Sequence, residues 1–243
     1  MRKKVVQICA YCAVGVGGED DHVLARQLFP PDIRFRGELP QVPACGPCNR
    51  RKQRAEDTVG VLLQFGHGSE ASRRVLEDRV PKTLRKNHRL WRTLKAGLKR
   101  VSVQRESGLI VDALAIRLGD QELAHIHDWF SLVTRGLYRF ETGVNLSADH
   151  SVSLIRPTSR PQCEVLLNVL RADSGHSIRS FAEGEFRYLF AVARQDPVSG
   201  WFYSFKSVEM FAVTTGPTVP PETFRSISDL AWERPTIDGN REP

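Results

Sequence analysis

The chain has no apolar run of about 18 residues, the length a helix needs to cross a bilayer, so nothing in it is expected to span a membrane. Its basic start, Met1-Arg2-Lys3-Lys4, is followed only by Val5-Val6-Gln7-Ile8 before the first cysteine. That is too short for the apolar core of a secretion signal, and we expect a cytoplasmic protein. Also missing is the dense, even set of cysteines that staples small secreted domains: there are five in 243 residues. Internal repeats are absent, which argues against a solenoid.

Acidic residues are scarce in one place. From residue 73 to residue 105, twelve basic side chains face two acidic ones, Glu77 and Asp78, a surplus of ten. The whole chain carries only +7, so everything else sums to −3 and the basic excess is one patch. Such a sign bias fits a polyanionic partner better than it fits a solvated face of mixed charge. Otherwise the composition, 41% hydrophobic and 26% charged, is that of an ordinary globular chain with enough residues to bury a good core.

What is present is a pair of identical cysteine spacings, Cys9-x-x-Cys12 and Cys45-x-x-Cys48. One tight turn lets each CxxC present two thiolates to a single ion, and two such knuckles complete a tetrahedron of Zn–S bonds about 2.3 Å long. With no open coordination position this zinc is expected to be structural. It would provide much of the folding free energy of a small unit with few large apolar residues. Cys163, far from both pairs, reads as an ordinary free thiol.

Between the knuckles stands Asp21-His22, and Asn49 follows the second at once. A carboxylate and an amide oxygen are hard donors suited to Mg²⁺ or Mn²⁺, and an adjacent imidazole can activate water near neutral pH. Glu19 and Asp20 beside Asp21 offer further carboxylates, so the sequence leaves open which of the three would meet an ion. His67 lies between glycines and reads as a loop residue, while His125 and His127, two apart on a helix, make a poor metal pair.

We expect an α+β protein in four stretches. Residues 1–66 form the zinc unit: a strand at 4–8, the first knuckle, a turn at 15–18, a segment ended by Pro30-Pro31, and a loop in which Pro40 and Pro43 restrict the approach to the second knuckle. Good helix formers then run from Asn49 through Leu63. A basic helical segment, 67–105, opens at the capping candidate Ser69, is interrupted at Pro81, and carries Leu84, Trp91, Leu94, Leu98 and Val101 at near-helical spacing. Strands at 101–103 and 109–118 are expected about a turn at 106–108, and an α+β domain at 106–215 continues with a helix at 121–138 and a strand at 151–155. An antiparallel hairpin at 186–193 and 201–205 and a strand at 208–214 complete it. Residues 164–170 fit strand or helix equally, and the Pro-rich, charged stretch 216–243 reads as a flexible tail.

The run Cys9-x-x-Cys12, Asp21-His22-Val23, Leu28-Phe29-Pro30, Val42-Pro43-Ala44-Cys45-x-x-Cys48-Asn49 and Lys52 closely resembles the HNH endonucleases, over about residues 5–60. The resemblance implies a small zinc-stapled ββα-metal unit and a metal-dependent endonuclease. In that family's terms Asp21 and Asn49 would hold a catalytic Mg²⁺ or Mn²⁺, Asn49 standing where many relatives have a histidine, and His22 would be the general base. A middle asparagine that many relatives carry before the second knuckle has no counterpart in Arg36-Gly37-Glu38-Leu39-Pro40-Gln41. The family also makes a role such as antiviral defence plausible.

The expected partner is therefore a nucleic acid, DNA first, gripped by Arg50 and Lys52 at the start of the second-knuckle helix and by Arg85, Arg89, Arg92, Lys95 and Lys99 downstream. A protein partner of the same system through the C-terminal domain is a further expectation. The alternative function is a non-catalytic zinc protein that binds nucleic acid or docks on an acidic partner.

Overall fold

A computed structural model describes residues 7–34, 39–65, 69–104, 107–157, 159–172, 176–193, 198–205 and 208–216. The expected tail at 216–243 apart from Gly216, the loop histidine His67 and the start of the first strand lie outside the described residues. The architecture is α+β with antiparallel sheets.

A minimal hairpin, β1 (Gln7–Ile8) and β2 (Val16–Gly17), carries the first knuckle in its turn. Next come β3 (Glu19–His22), the one-turn α1 (Pro31–Arg34), β4 (Gln41–Ala44) and α2 (Gly46–Leu62). Strands β3 and β4 are antiparallel, with Asp21 opposite Val42 and His22 opposite Gln41. The loop prolines contribute their carbonyls: Pro40 O accepts from Val23 N at 2.8 Å and Pro43 O from Ala10 N at 2.8 Å. Thus the second knuckle is tied to the first through backbone.

The basic stretch forms three short helices, α3 (Glu70–Asp78), α4 (Val80–Lys86) and α5 (His88–Gly97), and then a two-stranded ribbon, β5 (Leu98–Gln104) and β6 (Ile110–Ile116). Ser69 caps α3 as expected, its hydroxyl accepting from Ser72 N at 3.1 Å. The apolar spacing from Leu84 to Val101 suggested one continuous helix, and the chain breaks it twice. Asn87 leaves helical geometry and caps Leu90 N through Oδ1 at 3.0 Å. At Gly97 the backbone closes on Arg117, whose N donates to Gly97 O at 2.8 Å; a Cβ there would sit 2.2 Å from Arg117 O. Leu98 onward is extended, as suits the β-branched Val101 and Val103.

Helix α6 (Asp120–Thr142) is the central post, closed by Gly143 at φ 76°, a left-handed stop that glycine adopts without cost. After it come β7 (Ser151–Ile155), α7 (Arg160–Ala172), β8 (Ser177–Phe181), β9 (Phe186–Val192), β10 (Ser199–Phe205) and β11 (Val208–Thr215). The ambiguous stretch 164–170 is helical: Cys163, Leu166, Leu167 and Leu170 recur at helical spacing against the sheet. Five strands form one antiparallel sheet in the order β7-β11-β10-β9-β8. Alternation sorts its faces: Trp201, Tyr203 and Phe205 join the core with α6, while Phe202 joins Leu189 and Phe211 under α7.

The core with α6 continues into the zinc unit. Cys9, Tyr11, Val23, Leu28 and Phe29 share one apolar cluster with Trp129, Val133, Leu137, Trp201 and Phe205. Phe29, from the Leu28-Phe29-Pro30 run, lies 5.6 Å from Phe205 between ring centres. Gly136 lets α6 approach, since a Cβ there would come within 2.9 Å of Val23 and 3.1 Å of Tyr11. This core joins residues 9–63 to residues 129–212, because α6 packs against the sheet on one side and the zinc unit on the other.

Candidate metal centre and adjoining polar site

The four cysteines converge, with every Sγ within 4.8 Å of the others and Cys12 Sγ 3.9 Å from Cys45 Sγ. Tetrahedral Zn–S bonds of about 2.3 Å imply sulfurs roughly 3.8 Å apart, so this donor set fits a structural zinc. Local structure explains the approach: Ala13 takes φ 57° to turn the first knuckle, Gly15 N donates to Cys12 Sγ at 3.3 Å, and Cys45 sits at the N-terminus of α2. The crowded thiols differ in how readily they ionise. Burial raises Cys9 and Cys48, while at Cys12 burial is outweighed by the Gly15 and Val14 amides and the neighbouring thiols, which bring it to about 7. A cation removes that difference by accepting thiolates directly.

The second half of the chain holds this centre. Asn145 Nδ2 donates to Ile8 O and Cys9 O at 3.3 Å each, and Arg135 donates to the carbonyls of Leu146, Ser147 and His150. Arg51 adds a bidentate pair with Asp128 of α6, with bonds of 2.6 and 3.0 Å.

Beside the cysteines, β3 faces the first turns of α2. Glu19 and Asp21 point that way: Asn49 Nδ2 donates to Glu19 Oε2 at 3.3 Å, and Lys52 Nζ lies 3.0 Å from Asp21 Oδ2. Strand alternation turns Asp20 and His22 to the other side, where His22 Nε2 is 3.3 Å from Gln41 Nε2. His22 Nδ1 is buried with no hydrogen-bond partner among the described residues. Burial, helped by Arg26 and Lys52, lowers the His22 pKa against the pull of Asp21, which favours the neutral ring.

Lys52 overturns its expected place on the surface. It is 1% exposed, and its ammonium contacts Asp21, Glu56 Oε1 at 2.5 Å and His22 O at 2.7 Å. An ammonium with three donors is thereby satisfied and has no surface left for a phosphate backbone. Tyr11 completes the group by donating to Asp21 Oδ2 at 2.5 Å; burial first, then Asp21, holds its hydroxyl well above the usual range. Burial likewise raises Glu56 despite Lys52. Sequence reasoning missed Tyr11 and Glu56 as members of this group. One signal was available: Lys52 and Glu56 are four apart on a predicted helix.

Arg50, Arg85, Arg89, Arg92, Lys95 and Lys99 are exposed, as is Arg100. Arg73, Arg74 and Lys82 of the same stretch are instead paired with Glu70, Asp32 and Asp78. Trp91, 47% exposed, lies on α5 among Arg89, Arg92 and Lys95. His125 and His127 diverge, to Thr58 Oγ1 and Ser131 Oγ respectively.

No family model matches the chain. A search of curated proteins finds no match either. The donor geometry and the packing therefore carry the argument alone. None of the helices among the described residues is long and apolar enough to cross a membrane.

Proposed function

We propose that the chain is a metal-dependent endonuclease of HNH type, in which a structural zinc fixes an acidic strand against an asparagine-bearing helix start. The observation that carries the reading is the juxtaposition of Glu19 and Asp21 on β3 with Asn49, one residue beyond the zinc knuckle. The donor set fits a hard divalent ion: Asn49 can turn its amide oxygen where its nitrogen now meets Glu19, and Asp21 uses only Oδ2 for Tyr11 and Lys52. Bound there, a Mg²⁺ or Mn²⁺ would supply the positive charge that polarises a scissile phosphodiester.

The chain's own groups do the remaining work. His22, kept neutral by burial, would take a proton from water once its ring turned from Gln41 toward the ion, and Lys52 fixes the His22 backbone through its carbonyl. Arg85, Arg89, Arg92, Lys95 and Lys99 form an exposed cationic face that holds the phosphate backbone, and Trp91 offers a ring for stacking.

A second reading has its own observation. An ammonium beside Asp21 and a His22 ring turned toward Gln41 suit a zinc-stapled binding module without catalysis. Supercoiled plasmid separates the two. Nicking that requires Mg²⁺ or Mn²⁺ and stops in EDTA is expected from the nuclease; retention of the plasmid without cleavage in either ion selects the binding module.

A further inference from the structure

The ribbon β5–β6 leaves one edge open. Among the described residues β6 pairs only with β5, and a two-stranded ribbon alone is marginal in water. Exposed edges are ordinarily blunted by charge, proline or a bulge. Strand β5 is blunted, since Lys99 and Arg100 lie on it. Strand β6, Ile-Val-Asp-Ala-Leu-Ala-Ile, has one charge, no proline and no glycine, and Ile110 and Leu114 are each 67% exposed. Seven residues of that composition form a strand-pairing template.

We propose that two copies of this chain pair through the free edges of β6, antiparallel about a two-fold axis at Ala113, to form a four-stranded sheet. A second copy is favoured over an unrelated strand because two-fold pairing about Ala113 sets no charged residue opposite a like charge. Two-fold pairing sets Ile110 against Ile116 of the second copy, Val111 against Ala115 and Asp112 against Leu114. The two carboxylates are thus kept apart. Arg100, opposite Leu114 in its own ribbon, falls in the same cross-strand row as Asp112 of the second copy, so the charges on that face of the new sheet are complementary. Val101, Val103, Val111 and Ala113 of both copies then share one face of the new sheet. The dimer joins two cationic stretches, and it is independent of whether the β3–α2 site cleaves.

Light scattering on the full zinc-bound chain tests this. A mass near twice the 27.4 kDa chain mass at micromolar concentration is expected, falling on dilution; the single-chain mass throughout would overturn the proposal. Ala113→Lys and Ala113→Asp each set like charges opposite one another and should give monomers, while an equimolar mixture of the two should recover the dimer. A dimer that survives either substitution, or a mixture that stays monomeric, also overturns it. An Ala113→Cys chain in a Cys163→Ser background should cross-link to itself, because directly opposed strand residues lie about 4.5–5.5 Å apart, within disulfide range. Ala115→Cys, facing Val111, should not, and equal cross-linking of both would refute the register.

Discussion

Between β3 and α2 the interior is polar: four thiols converge on one point, and Tyr11, Asp21, Lys52 and Glu56 form a closed group in which each member has its partner inside. Between α6 and the five-stranded sheet the interior is aromatic: Trp129, Phe130, Phe186, Tyr188, Trp201, Tyr203 and Phe205 pack ring against ring. Tyr11 and the cysteines connect the polar interior to the same apolar cluster as those rings, yet the two depend on different physics. A polar interior is stable only when complete, because each removed partner leaves a buried charge unpaired. An aromatic interior loses stability in proportion to the surface and volume removed.

Removing the metal should break the comparison hardest. Structural zinc contributes apparent binding free energies of about 10–16 kcal/mol in small zinc modules. Stripping it with a strong chelator should therefore open residues 7–62 to hydrogen exchange while β9, β10 and β11 stay protected. Uniform exchange across both regions would show that the aromatic core cannot stand without the staple.

Smaller and more even effects are expected within each interior. Lys52→Met leaves Asp21 and Glu56 facing each other without their cation, at a cost of about 3–5 kcal/mol in denaturant unfolding. Trp201→Ala empties a fully buried site and should cost about 3–5 kcal/mol by a different route. Raising pH sharpens the distinction. The folded-state pKa of Glu56 is raised above its ordinary value, so in Lys52→Met that carboxyl takes up a proton on folding and the variant should lose stability as pH rises through the carboxylate range. Trp201→Ala should show no such added dependence, and parallel pH profiles would contradict the polar account.

Much of this was legible in the sequence where the cause is local. The CxxC spacings announce a turn with two thiols, Ser69 announces a cap, and the 3.6-residue period of Leu123, Ile126, Trp129, Phe130, Val133 and Leu137 announces α6. The late hairpin likewise follows from alternation on both sides of a turn. What stayed hidden depends on distant partners. A lysine in the third turn-facing position of a basic helix is ordinarily solvated, and only the arrival of Tyr11 and Asp21 from another part of the chain buries Lys52. Strand β8 (Ser177–Phe181) carries a single large aliphatic residue, so its pairing with β9 sets its conformation more than its own pattern does. The continuity of the core across residue 66 required Gly136 to be recognised as a contact, and a glycine in a helix carries no apolar signal.

In the proposed nuclease, zinc and chemistry are separate: the thiolates would hold the frame and the strand beside them would act. The direct measurement pairs zinc content with plasmid nicking in His22→Ala. The account predicts one zinc per chain, an unchanged fold and cleavage reduced at least a hundredfold, in line with loss of a general base. Undiminished nicking by a zinc-loaded His22→Ala chain would contradict it.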